Sequence, residues 1–163
     1  MEAWDVHVEH PPHVRLRRTK AGRGMTPRLL IITHDGILAS AYRAHLMREQ
    51  FVVECRATAR EGLIKARQWS PYIILLDVTL PGLNGLDVLK SMRDVPWLSQ
   101  THVVLLVERT LSHRVIDDCR LWGASSFLYK DACSMDEVVA HLQTILSSFD
   151  TSESTKHQIP STK

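Results

Sequence analysis

Four consecutive aliphatic residues, Ile73-Ile74-Leu75-Leu76, run directly into an acidic one, Asp77. A run this short, with no polar alternation, has no face for water, so as a strand it must be covered on both sides. Leu29-Leu30-Ile31-Ile32 and His102–Val107 have the same character, and stretches of helical spacing lie between such runs. The spacing predicts strands at Arg28–Thr33, Val52–Cys55, Ile73–Leu76, His102–Val107 and Ser126–Tyr129. It predicts helices at Ile37–Gln50, Ala59–Trp69, Gly85–Arg93, Ser112–Trp122 and Ser134–Ser147. Ser70-Pro71 ends the second helix and Gly123 closes the fourth as a C-cap, while Ser134 and Glu137 form a capping box that opens the fifth. Strands alternating with helices require right-handed crossovers, hence an α/β fold with a doubly wound parallel five-stranded sheet and helices on both faces.

Composition excludes several alternatives. Lys plus Arg number 20 against 18 for Asp plus Glu, so a formal charge of +2 gives no general electrostatic case for nucleic acid or membrane binding. The apolar runs are far shorter than the roughly 20 residues of a transmembrane helix, and the N-terminus lacks the basic-then-apolar order of a secretory signal. Cys55, Cys119 and Cys133 form no CxxC pair, which fits reduced thiols and a cytoplasmic protein. Residues 1–27, with Pro11, Pro12, Gly22, Gly24 and a basic run from Arg15 to Arg23, read as a disordered basic tail. His7, His10 and His13 are interrupted by those prolines and belong to the same tail, and Met25 makes a natural start for the folded part. Residues 149–163 are polar and read as a second disordered tail, leaving 28–148 as the domain.

In doubly wound sheets chemistry sits beyond the carboxyl ends of the strands, near the switch in strand order. That rule selects Thr33-His34-Asp35, Asp77, Val107-Glu108 and Lys130. A buried carboxylate needs a compensating cation, and Lys130 is the natural one for Asp77. Such a pair serves either as a nucleophile toward phosphoryl donors, with the ammonium neutralising developing charge, or as a salt bridge joining two strand ends. The residues alone leave both readings open.

The run PYIILLDVTLPGLNGLDVL, with GASSFLYKD some way downstream, resembles the receiver domain of two-component response regulators over about residues 28–148. The resemblance implies a flavodoxin-like (βα)5 fold. It implies that Asp77 is the phosphoacceptor for a sensor histidine kinase or phosphotransfer protein, and that Lys130 contacts the phosphoryl group. Mg2+ is the cofactor it implies, with Asp35, Asp77 and the Thr79 backbone carbonyl as candidate ligands. Output passes, on this resemblance, through the surface of Ser112–Trp122, Ser126–Tyr129 and Ser134–Ser147, to a downstream protein or to a second copy in a homodimer.

The chain also departs from that family. Thr33 and His34 stand where receivers carry the acid pair that anchors Mg2+, an ion that depends on carboxylate oxygens. At the end of the fourth strand, alignment puts Val107 at the Thr or Ser switch position, followed by Glu108 where a small residue is usual. Val107 cannot donate a hydrogen bond, and Glu108 adds negative charge beside the site. Phe127 holds the switch aromatic and favours one fixed, buried state. Lys130 is followed by Asp131 rather than the usual proline, so a trans peptide bond is expected there.

These features favour a single-domain, atypical receiver with a weakened metal site and switch, acting by protein contact. The alternative is a phosphorylation-independent pseudo-receiver. A hydrolase using Asp77 is less favoured, because a phosphatase-type nucleophile motif needs a second acid where Thr79 stands. No Gly-x-Ser-x-Gly elbow, phosphate loop or dinucleotide fingerprint is present, so no enzyme is expected. The few residues after 148 offer no DNA-reading helix pair, and the basic tail offers no sequence specificity.

Overall fold

The computed structural model describes residues 26–153, with side chains to residue 148. The expectations for residues 1–25 and 154–163, including the basic run and the three histidines, lie outside that range. In chain order the elements are β1 (Arg28–Ile32), α1 (Gly36–Arg48), β2 (Val52–Arg56), α2 (Ala59–Trp69), β3 (Ile73–Asp77) and α3 (Gly85–Arg93). A short 3-10 turn at Pro96–Leu98 precedes β4 (His102–Val107), α4 (His113–Leu121), β5 (Ser126–Tyr129) and α5 (Met135–Glu153).

The five strands form one parallel sheet in the order β2-β1-β3-β4-β5. Alternation along each strand sends side chains to two apolar layers. Leu30, Ile32, Ile74, Leu76, Leu105 and Val107 pack under α2, α3 and α4. Leu29, Ile31, Ile73, Leu75, Val104 and Leu106 pack under α1 and α5, where Tyr42, Leu46, Val138 and Leu142 meet them. β3 lies between β1 and β4 and is buried along its whole length, as its unbroken aliphatic run requires.

Several boundaries move by one residue from the pattern reading: β1 ends at Ile32, β2 at Arg56 and β3 at Asp77, α1 starts at Gly36, α4 spans His113–Leu121 and α5 starts at Met135. Two ends move further. α1 stops at Arg48 rather than Gln50, because Gln50 takes φ 65° and turns the chain back toward Phe51, whose N–H donates to Leu46 O. α5 continues to Glu153, past the expected end at Ser147 and into residues assigned to the C-terminal tail. The caps themselves fall where the punctuation put them. Ser70 is a left-handed C-cap before Pro71, Gly123 follows α4 at φ 84°, and Ser134 and Glu137 exchange the two bonds of a capping box.

Gly85 explains part of the motif after Asp77. A Cβ on it would lie 2.7 Å from Val78 Cα, and its N–H donates to Val78 O at 3.0 Å. Only glycine lets α3 start flush against the chain leaving β3, while Gly82, at φ 86°, makes the preceding turn.

Candidate functional site

The carboxyl ends of β1, β3, β4 and β5 converge at Asp77, beside the switch in strand order between β1 and β3. Asp77 is the last residue of β3 and is fully buried, facing the α1–α5 side like its register partner Leu106.

Its carboxylate is densely engaged. Oδ1 accepts from the Thr79 N–H at 2.9 Å, the Thr79 hydroxyl at 2.8 Å and Lys130 Nζ at 3.1 Å. Oδ2 accepts from the Thr33 hydroxyl at 2.8 Å and from Lys130 Nζ at 3.1 Å. Thr33 is oriented for this, since its oxygen accepts the Asp35 N–H at 3.2 Å and leaves its proton for Asp77. Burial alone would push the Asp77 pKa up. The Thr79 N–H, the Thr33 and Thr79 hydroxyls and the Lys130 ammonium outweigh it and hold the group below its ordinary value.

Lys130 is similarly committed. Its Nζ also lies 3.2 Å from Thr79 Oγ1 and 3.3 Å from Glu108 Oε1. The Lys130–Asp131 bond is trans, as expected without proline, and the ammonium still reaches both oxygens of Asp77.

The other sequence-selected positions divide. Thr33 and Thr79 enter the site as hydroxyl donors. His34 is half-exposed, with Nδ1 3.8 Å from Asp77 Oδ2. Asp35 does not join them: its Oδ1 caps α1 by accepting from Ile37 N at 3.0 Å and Leu38 N at 2.9 Å. Val107 is fully buried in the layer under α2–α4 and does not line the site. The residue that reaches the site from β4 is Glu108, whose contact with Lys130 the sequence reading did not anticipate. Phe127 is half-buried, with the Arg120 guanidinium 5.0 Å from its ring centroid and the Tyr129 ring edge-on at 5.6 Å. That contact joins α4 to β5, and a 2.6 Å Ser126 Oγ–His141 Nε2 hydrogen bond joins β5 to α5.

These residues do not fit Mg2+. The ion takes oxygen ligands in near-octahedral geometry, anchored by one or two protein carboxylates with water filling most of the rest. Here Asp35 is spent on a helix cap, Glu108 is paired with Lys130, and the Thr33 and Thr79 hydroxyls, the Thr79 N–H and the Lys130 ammonium donate to Asp77, so no carboxylate stands free to anchor the ion. Among the described residues, no group of three or more His, Cys, Asp or Glu side chains is placed to hold a metal ion.

Comparison with known proteins agrees with the fold and the motif. The response regulator receiver domain family matches residues 29–143. YkoG of Bacillus subtilis, an uncharacterised transcriptional regulatory protein, is 37% identical over 118 residues, covering 72% of this chain and 50% of that one. The transcriptional regulatory protein MctR of Rhizobium johnstonii is 30% identical over 122 residues, covering 72% of this chain and 54% of its own. The chain thus spans about half the length of these curated relatives. A chemotaxis response regulator of Vibrio cholerae shares the fold at a TM-score of 0.68, with 22% identity, covering 74% of this chain and 98% of that one. A receiver domain protein of Methanospirillum hungatei does so at 0.71, with 19% identity over 78% of this chain and 98% of its own.

Proposed function

This chain belongs to the response regulator receiver domain family of two-component systems, and within that family we propose, from the geometry of its site, that it signals without phosphorylation of Asp77. The observation that carries the reading is the saturation of the Asp77 carboxylate by Thr33, Thr79 and Lys130. A nucleophilic carboxylate must turn a free lone pair toward phosphorus, with a cation ready for the charge that develops. Here every lone pair of Asp77 faces a donor, Glu108 shares the cation, and the residues do not suit the metal. The Asp77–Lys130 pair then joins the ends of β3 and β5 as a structural element.

On this reading the protein is an interaction module rather than a turnover enzyme, with Thr79 a hydrogen-bond donor to Asp77 instead of a second acid. Its upstream partner is a sensor histidine kinase or phosphotransfer protein that docks without transferring its group. Output is protein contact through α4, β5 and α5, to a downstream partner or a second copy, in the cytoplasm. Among the described residues, no helix is long and apolar enough to cross a membrane.

The test incubates the full chain with acetyl phosphate or phosphoramidate, in Mg2+ and then Mn2+, and reads intact mass, with Asp77→Asn as control. The expected result is no added phosphoryl group. An adduct present in the wild type and absent from the control would overturn the reading in favour of a working phosphoacceptor.

A further inference from the structure

Two ion pairs, in step along the chain, join the loop between β4 and α4 to the end of β5. Glu108 Oε1 lies 3.3 Å from Lys130 Nζ, and one residue on, Arg109 Nε lies 3.4 Å from Asp131 Oδ2. The backbone reinforces them, since the Lys130 N–H donates to Val107 O at 2.9 Å and the Leu111 N–H to Glu108 O at 3.0 Å. We infer that these pairs hold the β4–α4 loop of the unmodified protein against the end of β5, with Glu108 the resident anion on Lys130.

The donor count supports this. An ammonium has three N–H bonds, and Lys130 already has three hydrogen-bond acceptors, both Asp77 oxygens and Thr79 Oγ1, with Glu108 Oε1 as a further ion-pair partner at 3.3 Å. No N–H is left over for an external anion, and Glu108 already supplies the next negative charge beside the ammonium. Lys130, Asp77 and Glu108 together already carry one excess negative charge, so a second anion is repelled as well as excluded. Strand alternation makes the contact possible. Leu106 faces the Asp77 side and Val107 the opposite layer, so Glu108 returns to the Asp77 side.

Glu108 and Asp131 are also positions where the sequence departs from its family, and each supplies one acid of the two tethers. Exposed ion pairs are individually weak, and Arg109 and Asp131 are both exposed. Two pairs spanning the same two backbone segments share the cost of ordering them. The consequence is that the start of α4, capped by Ser112, is placed relative to β5 by the chain's own charges. This deepens the phosphorylation-independent reading and rests on it.

Amide hydrogen exchange on the full chain tests it, comparing wild type, Glu108→Gln, Arg109→Gln and the double variant. Exchange across residues 109–113 is expected to rise about two- to fivefold in each single variant, the range a partly exposed ion pair supports. The double variant should rise at least as far, and amides in β1 and β3 should keep their rates, which shows that the fold is intact. Wild-type rates at 109–113 in all three variants would overturn the tether. The phosphoryl-donor assay on the same wild-type sample separates the two ideas. An adduct there overturns the phosphorylation-independent reading and, with it, Glu108 as the resident anion on Lys130. No adduct together with unchanged loop rates overturns the tether alone.

Discussion

Neutralising Asp77 is expected to destabilise the domain, the reverse of relieving a crowded acidic pocket. Asp77→Asn keeps the shape and removes the charge. The fully buried carboxylate accepts from Thr33 Oγ1, Thr79 N and Thr79 Oγ1 at 2.8–2.9 Å and from Lys130 Nζ at 3.1 Å on both oxygens. Asparagine offers one acceptor oxygen, and its NH2 group faces donors on the other side. A hydrogen bond to an ionised group contributes about 1.5–3 kcal/mol, and breaking a buried ion pair from one side costs about 3–5 kcal/mol. Because Glu108 stays beside Lys130, the expected loss is about 2–4 kcal/mol. At about 4 °C per kcal/mol for a domain of this size, Tm falls by roughly 8–16 °C. Thermal and urea melts at neutral pH in a chelator measure it. The pH dependence supplies an independent reading. The folded Asp77 pKa lies below its ordinary value of 3.8, so its stabilisation is fully present above 3.8 and is lost as pH falls through the folded value. Wild type and variant should therefore converge only in that acid range. A variant as stable as the wild type at neutral pH, or more stable, would refute the claim that the site is settled.

Two further perturbations follow from the same geometry. Replacing Thr33 and His34 together by aspartate should restore a divalent-ion site, so that Mg2+ raises the Tm of the double variant and leaves the wild type unmoved; thermal shift with and without Mg2+ reads this, and an equal rise in both would sink the ligand argument. Gly85→Ala places a methyl group 2.7 Å from Val78 Cα and should cost about 1–3 kcal/mol in urea denaturation, with a wild-type midpoint as the contrary result.

The sheet was legible because its signals are local. Each aliphatic run sits within a few residues of its own punctuation, and Asp77 and Lys130 each end a strand, which brings them together once the strands are parallel. Thr33 was harder. In sequence it registers as a missing acid, while in the fold its hydroxyl is a donor that a carboxylate could not be, aimed by the Asp35 N–H. Asp35 carries its own signal, an acidic residue directly before a helix, which marks an N-cap as readily as a metal ligand. Val107 and Glu108 show where alignment and alternation point to different residues. Matching the end of β4 by similarity favoured Val107, the residue shaped like threonine. Alternation was the better guide, because Val103, Leu105 and Val107 enter one layer and Val104 and Leu106 the other, the layer Asp77 faces. Two residues past Leu106 is Glu108. What alternation cannot supply is the reach of that side chain to Lys130, because the partner comes from the next strand and its position depends on the register of Val107 with Tyr129. The face of a residue is written in its own strand, whereas its partner is written in the pairing of two strands.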